Sequence, residues 1–229
     1  MKYPRPQLKR DNFQSLDGEW LMNGNKVIVP SCQLEQNLLY EKEFEFKKIK
    51  DRAILHFGAV DQICSITLNG INVGKHYGGY LPFEFDISNF VVEGTNKLMV
   101  NVLDVLDTTY PYGKQTLKPS GMWYTPVSGI WQSVFLESVS TDYILSLKIT
   151  PDIDNNIIKL EVETNALEYQ IVIKEKDKII YNQKSTTKNN DIVIENMHLW
   201  SPENPFLYDV EISTLNDKIH LILLVGSFL

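Results

Sequence analysis

Cysteine is scarce in this chain: Cys32 and Cys64 are the only two among 229 residues. No CxxC or Cys/His spacing accompanies them, so neither a zinc site nor a dense disulfide framework is expected. Both read as free thiols, and a cytoplasmic setting follows as the default. The opening Met1-Lys2-Tyr3-Pro4-Arg5-Pro6 lacks the apolar core and small-residue cleavage site of a secretory signal. No apolar run approaches the ~18 residues that a membrane span needs. The apolar tail, residues 219–229, is short and is broken by His220 and Gly226. Positive charge is also in deficit: 22 Lys and Arg face 29 Asp and Glu, a net charge of -7, which repels phosphate backbones and argues against a nucleic-acid partner. Only four histidines occur, and His76, His198 and His220 are isolated from any metal-ligand spacing. No metal and no cofactor are expected, and no glycine-rich phosphate loop is present.

What the chain does have is a 43% hydrophobic content, enough for a packed core and too much for disorder. Its apolar residues repeat with a period of two almost throughout, and no stretch carries a long helical stripe. Residues 53–57 and 63–68 are short β-branched or apolar runs. Asn69-Gly70 follows the second, a strong hairpin dipeptide because both residues tolerate positive φ. Phe83, Phe85 and Ile87 alternate onto one face. Residues 96–103 and 131–137 complete the first group, which reads as a β-sandwich.

The texture changes near residue 138, and the boundary falls at 138–141. No glycine lies between Gly129 and Gly226. Six strand candidates follow, at 144–149, 157–162, 169–173, 178–181, 191–194 and 207–212. Polar turns such as Asp154-Asn155-Asn156 and Lys188-Asn189-Asn190 separate them. The expectation is all-β: a jelly-roll sandwich over residues 1–139, then an immunoglobulin-like sandwich over residues 140–229. The last stretch, Leu221-Ile222-Leu223-Leu224-Val225, does not alternate cleanly. It reads as an unusual edge strand or as the mark of an altered or truncated reading frame.

Candidate chemistry concentrates in one long loop. Residues 104–115, extending to Trp123 and Tyr124, mix carboxylates, hydroxyls, an amide and aromatic rings. Sugars are held by that mixture: acids and amides meet vicinal hydroxyls, and rings cover apolar C–H faces. The candidates are Asp104, Asp107, Tyr110, Lys114, Gln115, Trp123 and Tyr124. The alternative is that the aromatics only pack a crossover. Trp131 reads as core, because it opens an alternating stretch. Glu35, Glu41, Glu43, Glu45, Glu84, Glu93 and Glu137 read as solvated structural groups. The paired acids of glycoside hydrolysis are not legible, so no catalytic residue is assigned. Ser128 has no base near it in sequence, and His56, between Leu55 and Phe57, reads as a satisfied structural histidine.

Several blocks, in order, resemble glycoside hydrolase family 2, the group of β-galactosidases, β-glucuronidases and β-mannosidases. They are Tyr3-Pro4-Arg5-Pro6 with Leu16-Asp17-Gly18-Glu19-Trp20, Leu55-His56-Phe57-Gly58-Ala59-Val60-Asp61, Leu68-Asn69-Gly70 and residues 73–83. Residues 121–134 resemble the family's SGIW signature, with Gln132 where Arg is usual. Leu199-Trp200-Ser201-Pro202-Glu203-Asn204-Pro205 resembles a further block. The resemblance covers roughly residues 3–217.

It implies a sugar-binding jelly roll and an immunoglobulin-like domain that precede a TIM barrel carrying the acid/base and nucleophile glutamates. Neither glutamate can be assigned here. The chain is expected to be a non-catalytic, barrel-less portion of a β-galactosidase-like enzyme, silent alone. Within the resemblance, Asp104 first and Asp107 second match the jelly-roll aspartate that holds substrate hydroxyls. The expected partner is a carbohydrate, a β-galactoside in the first place. A free-standing carbohydrate-binding module and a structural module that forms a homodimer stay open as alternatives.

Overall fold

A computed structural model describes residues 4–106 and 109–226, and they form two all-β units. The first unit comprises Asn12–Ser138, and the second runs from Val139 onward and includes the N-terminal segment up to Asp11. That segment was read from sequence as part of the first domain.

In the first unit the strands are β1 (Phe13–Ser15), β2 (Gly18–Met22), β3 (Asn25–Val29), β4 (Asn37–Phe46), β5 (Arg52–Phe57), β6 (Val60–Asp61), β7 (Ile63–Leu68), β8 (Ile71–Tyr77), β9 (Phe83–Asp86), β10 (Gly94–Leu103), β11 (Gly129–Ile130) and β12 (Val134–Val139). Four of them pair in the order β1-β12-β5-β9, six in the order β3-β2-β4-β10-β7-β8, and β11 pairs only with β6. The alternation seen in sequence sets the inward face. Leu38 and Tyr40 of β4, Leu98 and Val100 of β10, and Ile66 and Leu68 of β7 meet Leu55 and Phe57 of β5 in one core. Trp20 anchors this core edge-on to Tyr40, 6.4 Å between ring centroids, and its indole N–H donates to the Leu16 carbonyl at 2.7 Å. The expected hairpin is present: Asn69 (φ 53) and Gly70 (φ 81) link β7 to β8.

One sequence reading changes here and one holds. Glu137 is 1% exposed rather than solvated, because β12 is buried on both faces. Its carboxylate lies 3.0 Å from His56 Nε2, while His56 Nδ1 lies 3.0 Å from Glu84. His56 is therefore a buried, partnered histidine, stacked on Phe135 at 4.6 Å.

The second unit contains β13 (Ile144–Asp152), β14 (Ile157–Thr164), β15 (Tyr169–Glu175), β16 (Lys178–Ser185), β17 (Asn189–Val193), β18 (Tyr208–Ser213) and β19 (Lys218–Leu223). The sheets run β13-β14-β17 and β16-β15-β18-β19, and Ile158, Leu160, Ile171, Ile173, Val210 and Ile212 pack between them. Asn189 and Asn190 belong to β17 instead of a turn: the Asn190 amide donates to Tyr169 Oη at 2.7 Å, which ties β17 to β15 of the opposite sheet. The start of the irregular tail, up to Leu223, lies in a regular strand. Ile219, Leu221 and Leu223 point inward and Ile222 is exposed, and β19 pairs with β18 over its whole length. The outer edge of β19 is covered in turn, because Lys9 and His220 exchange backbone hydrogen bonds at 2.9 Å.

The N-terminal segment is fixed by a buried ion pair. Arg10, 3% exposed, donates from Nη2 to Asp217 at 2.9 Å and from Nε to the same carboxylate at 3.0 Å. Asp217 also accepts from the Ile144 N–H at 2.9 Å, so one carboxylate gathers the segment, β13 and the turn before β19. Removing one partner of such a pair leaves an uncompensated charge. Asp217→Ala is expected to cost about 3–5 kcal/mol. Urea unfolding followed by circular dichroism checks it, and a midpoint unchanged from wild type would refute the role.

Candidate functional site

Two glycines and one short strand pair build the most site-like feature. β11 pairs with β6 so that Gly129 faces Asp61. Gly129 has φ +96, and a Cβ there would lie 2.2 Å from Tyr40 Oη, so only glycine brings this strand in. Residues 31–36 close on the same strand from the other side. Gln33 and Ser128 exchange backbone hydrogen bonds at 2.9 Å, the Ser31 N–H donates to the Ile130 carbonyl at 3.0 Å, and the Ser128 hydroxyl donates to the Glu35 carbonyl.

The result is a cavity of about 160 Å³ lined by Cys32, Asp61, Tyr80, Gln115, Val127, Ser128 and Trp131. Tyr80 and Trp131 stand edge to face at 6.4 Å and form its aromatic wall. The Trp131 indole N–H donates to the Gly79 carbonyl at 2.8 Å, which fixes the ring. The Gln115 side-chain carbonyl accepts from the Val127 N–H at 2.5 Å, which leaves its amide donors for the cavity side.

The electrostatics are unusual. Asp61 is 6% exposed and Asp104, which directly follows β10, is 2% exposed. Burial, and then the charge of Asp104, pushes the Asp61 carboxyl up to about 6. Burial also raises Asp104. The Tyr80 phenol is raised by burial first and then by the two carboxylates. No hydrogen bond or cation offsets the burial of either carboxyl among the described residues. Buried acids without partners are costly, and structures retain them where a ligand supplies the missing donors.

The candidates read from sequence divide by position. Asp104 is buried, close enough for its charge to act on Asp61 and Tyr80. Gln115 enters the cavity wall. Lys114 is exposed, and its carbonyl accepts from the Tyr124 N–H at 2.9 Å, which sets Tyr124 beside Gln115 in a short parallel bridge. Tyr124, 65% exposed, and Trp123, 44% exposed, lie outside the cavity wall, as does the half-buried Tyr110. Asp107 falls outside the described residues.

Trp131 corrects its reading as core. The chain leaves strand geometry between Ile130 and Val134, and this turns the ring into the cavity, half-buried. Asp61, Tyr80 and Cys32 were not singled out from sequence. The Gly78-Gly79-Tyr80 turn was the available signal, because paired glycines permit close backbone approach as well as a bend. Cys32 and Cys64 are both free; Cys64 is buried, and burial pushes its thiol up to about 12. No group of three or more His, Cys, Asp or Glu is arranged to hold a metal among the described residues.

Two expectations follow. The Asp61 carboxyl prefers its proton in the folded state, so ionising it opposes folding. Its contribution is favourable below its unfolded value and is lost as pH rises toward about 6. Asp61→Asn, which mimics the protonated form, should match wild type near pH 4 and exceed it by up to about 3 kcal/mol above pH 7. Urea titrations at both pH values check this, and a difference independent of pH would refute it. Gly79→Ala should lose more than ~1 kcal/mol, because its Cβ would meet Asp61 Oδ1 at 2.1 Å. The same titration measures that loss.

Comparison with known proteins gives the following. The family described as "Glycosyl hydrolases family 2, sugar binding domain" matches residues 24–139, and "Glycosyl hydrolases family 2" matches residues 142–222. A β-galactosidase of Actinobacillus pleuropneumoniae is 28% identical over 189 residues, 79% of this chain and 18% of that protein. A putative β-glucuronidase of Formosa agariphila is 27% identical over 195 residues, 77% of this chain and 23% of that protein. Among solved structures, a β-D-glucuronidase from Dictyoglomus thermophilum superposes with a TM-score of 0.78 at 25% identity, covering 98% of this chain and 45% of that one. A β-glucuronidase from Ruminococcus gnavus superposes with a TM-score of 0.81 at 20% identity, covering 96% and 46%, and shows the shared fold. The chain thus spans 18% and 23% of those two curated relatives and just under half of the matched structures.

Proposed function

The chain belongs to glycosyl hydrolase family 2, and on that premise we propose that it supplies the sugar-holding part of a glycosidase acting on neutral β-glycosides, β-galactosides in the first place. One observation carries the reading. Two buried carboxyls, Asp61 and Asp104, stand behind an aromatic-walled cavity with no cation among its lining residues.

The chemistry follows from what such a cavity can accept. An ionised Asp61 accepts hydrogen bonds from sugar hydroxyls, and bonds to a charged acceptor are about twice as strong as neutral ones. Tyr80 and Trp131 offer apolar faces to the C–H side of a ring. Gln115 adds an amide that can give and accept hydrogen bonds. A uronic acid would bring its own carboxylate toward two others without a neutralising partner, and like charges there disfavour binding. This argument favours a galactoside over a glucuronide, although relatives of both names match the sequence.

Asp61 is assigned to holding hydroxyls. Asp104 does not line the cavity and acts through Asp61, as a positioning residue. Hydrolysis itself is not assigned to any residue of this chain. The cavity wall is built wholly from residues 32–131, which also favours the second reading, a unit that binds carbohydrate by itself.

Isothermal titration with methyl β-galactoside and with glucuronic acid tests both. The expected result is saturable binding of the galactoside on the order of millimolar, since sugar hydrogen bonds compete with water. Binding should strengthen as pH rises through about 6, where Asp61 becomes the charged acceptor. Asp61→Asn should weaken it roughly tenfold and flatten that pH dependence. Binding of glucuronic acid that is tighter than that of the galactoside and is weakened by Asp61→Asn would overturn the neutral-sugar assignment.

A further inference from the structure

The outward face of the six-stranded sheet carries a second groove, of about 270 Å³, lined by Asn37, Ile63, Cys64, Ser65, Lys75, Tyr77, Asn101, Val102 and Leu103. It shares no lining residue with the Asp61 cavity. Strand register explains its composition. Leu39, Asn101, Ser65 and Lys75 stand side by side across β4, β10, β7 and β8, and Asn37, Leu103, Ile63 and Tyr77 form the next row along. Cys64 and Val102, one residue out of phase, are buried beneath. Neighbouring strands lie ~4.8 Å apart, so four of them span roughly 14 Å. That is a shallow, elongated floor, suited to an extended chain.

The chemistry of the floor is graded. Tyr77 is 58% exposed at the edge strand and presents a ring with a polar tip. Asn37 and Asn101 offer amides that can both give and accept hydrogen bonds, and Ser65 a hydroxyl. Lys75 is exposed and makes no ion pair among the described residues, although the chain carries a net charge of -7. No carboxylate lines the groove. Farther along the same face Lys97 pairs with Glu41 and stands opposite Glu43, and within the groove lining Lys75 is the charged residue.

We propose that this groove binds a uronic-acid oligosaccharide, with Tyr77 stacked beneath one ring and Lys75 paired with a sugar carboxylate. A uronate fits better than a sugar sulfated on the ring: its acid group is exocyclic and leaves the ring hydroxyls free for Asn37, Asn101 and Ser65, whereas a ring sulfate ester consumes one of them. The two surfaces then differ in sign, a carboxylate cavity for a neutral sugar and a cationic groove for an acidic chain.

The test is isothermal titration of the full chain with trigalacturonate and with neutral galactotriose. Trigalacturonate should bind saturably and more tightly than the neutral trisaccharide. Lys75→Ala should weaken it roughly fivefold and abolish that preference. Tyr77→Ala should weaken trigalacturonate by up to about tenfold and leave galactoside binding at the Asp61 cavity unchanged. Both positions are exposed, and circular dichroism confirms that the variants fold. Asp61→Asn should leave trigalacturonate binding unchanged, so failure here and failure of the galactoside assignment are told apart. The proposal is overturned by absent saturation, by equal affinity for both trisaccharides, or by insensitivity to both groove variants. A light-scattering mass that falls on Tyr77→Ala, without sugar binding by wild type, would assign the face to a second copy and also overturn it.

Discussion

Asp61 can occupy its position only because residue 79 has no side chain. A methyl group there would fall 2.1 Å from the Asp61 carboxylate, and the carbonyl of the same Gly79 holds the Trp131 indole at 2.8 Å. One backbone segment thereby sets both the acidic and the aromatic wall of the cavity. Gly129 imposes the matching condition opposite, since its positive φ and its contact with Tyr40 let β11 reach β6. Glycine costs chain entropy on folding, and here that cost is tied to two close approaches that no other residue permits.

Two pairs of buried ionisable groups among the described residues follow opposite logic. Arg10 and Asp217 neutralise each other, and Asp217 takes a further backbone donor. That pair fixes a segment against the second unit's sheets and needs nothing from outside. Asp61 and Asp104 have like charge and no compensating donor among the described residues, so they oppose folding when ionised. A buried group that weakens the fold yet lines a cavity is what a binding function requires, because the donors it lacks are those a polyhydroxylated ligand brings. The raised Asp61 value carries a second consequence: the form that binds hydroxyls best is the form the protein holds least comfortably.

The sheet face around Lys75 obeys a simpler rule. Period two places every second residue of β4, β10, β7 and β8 in solvent, and register alone decides which of them become neighbours. Asn101 and Lys75 are far apart in the chain but lie one strand from each other, on either side of Ser65. Their proximity is invisible to a reading that treats each strand separately.

Alternation, the Asn69-Gly70 turn and the change of texture near residue 138 were enough to specify an all-β chain with two sandwich units, because those signals are local and the pleat converts them directly into faces. The ordered family blocks were legible for the same reason. The long loop stood out by its composition; of its residues Gln115 lines the cavity, and Asp104 acts on Asp61 by its charge. Local reading failed where a residue's role depends on distant partners. Trp131 opens an apparent strand in sequence, but the break after Ile130 turns it into a wall. Glu137 looks like any polar strand position until both faces of β12 are covered. The start of the tail looked irregular until pairing of β19 with β18 and with Lys9 absorbed both of its edges. Sequence by itself determined which residues alternate, where the chain turns and what chemical types its loop carries, because these depend on neighbours along the chain. Tertiary structure alone decided that Asp61 joins Asp104 behind Tyr80 and Trp131, because that juxtaposition rests on two side-chain-free glycines meeting groups far away in sequence.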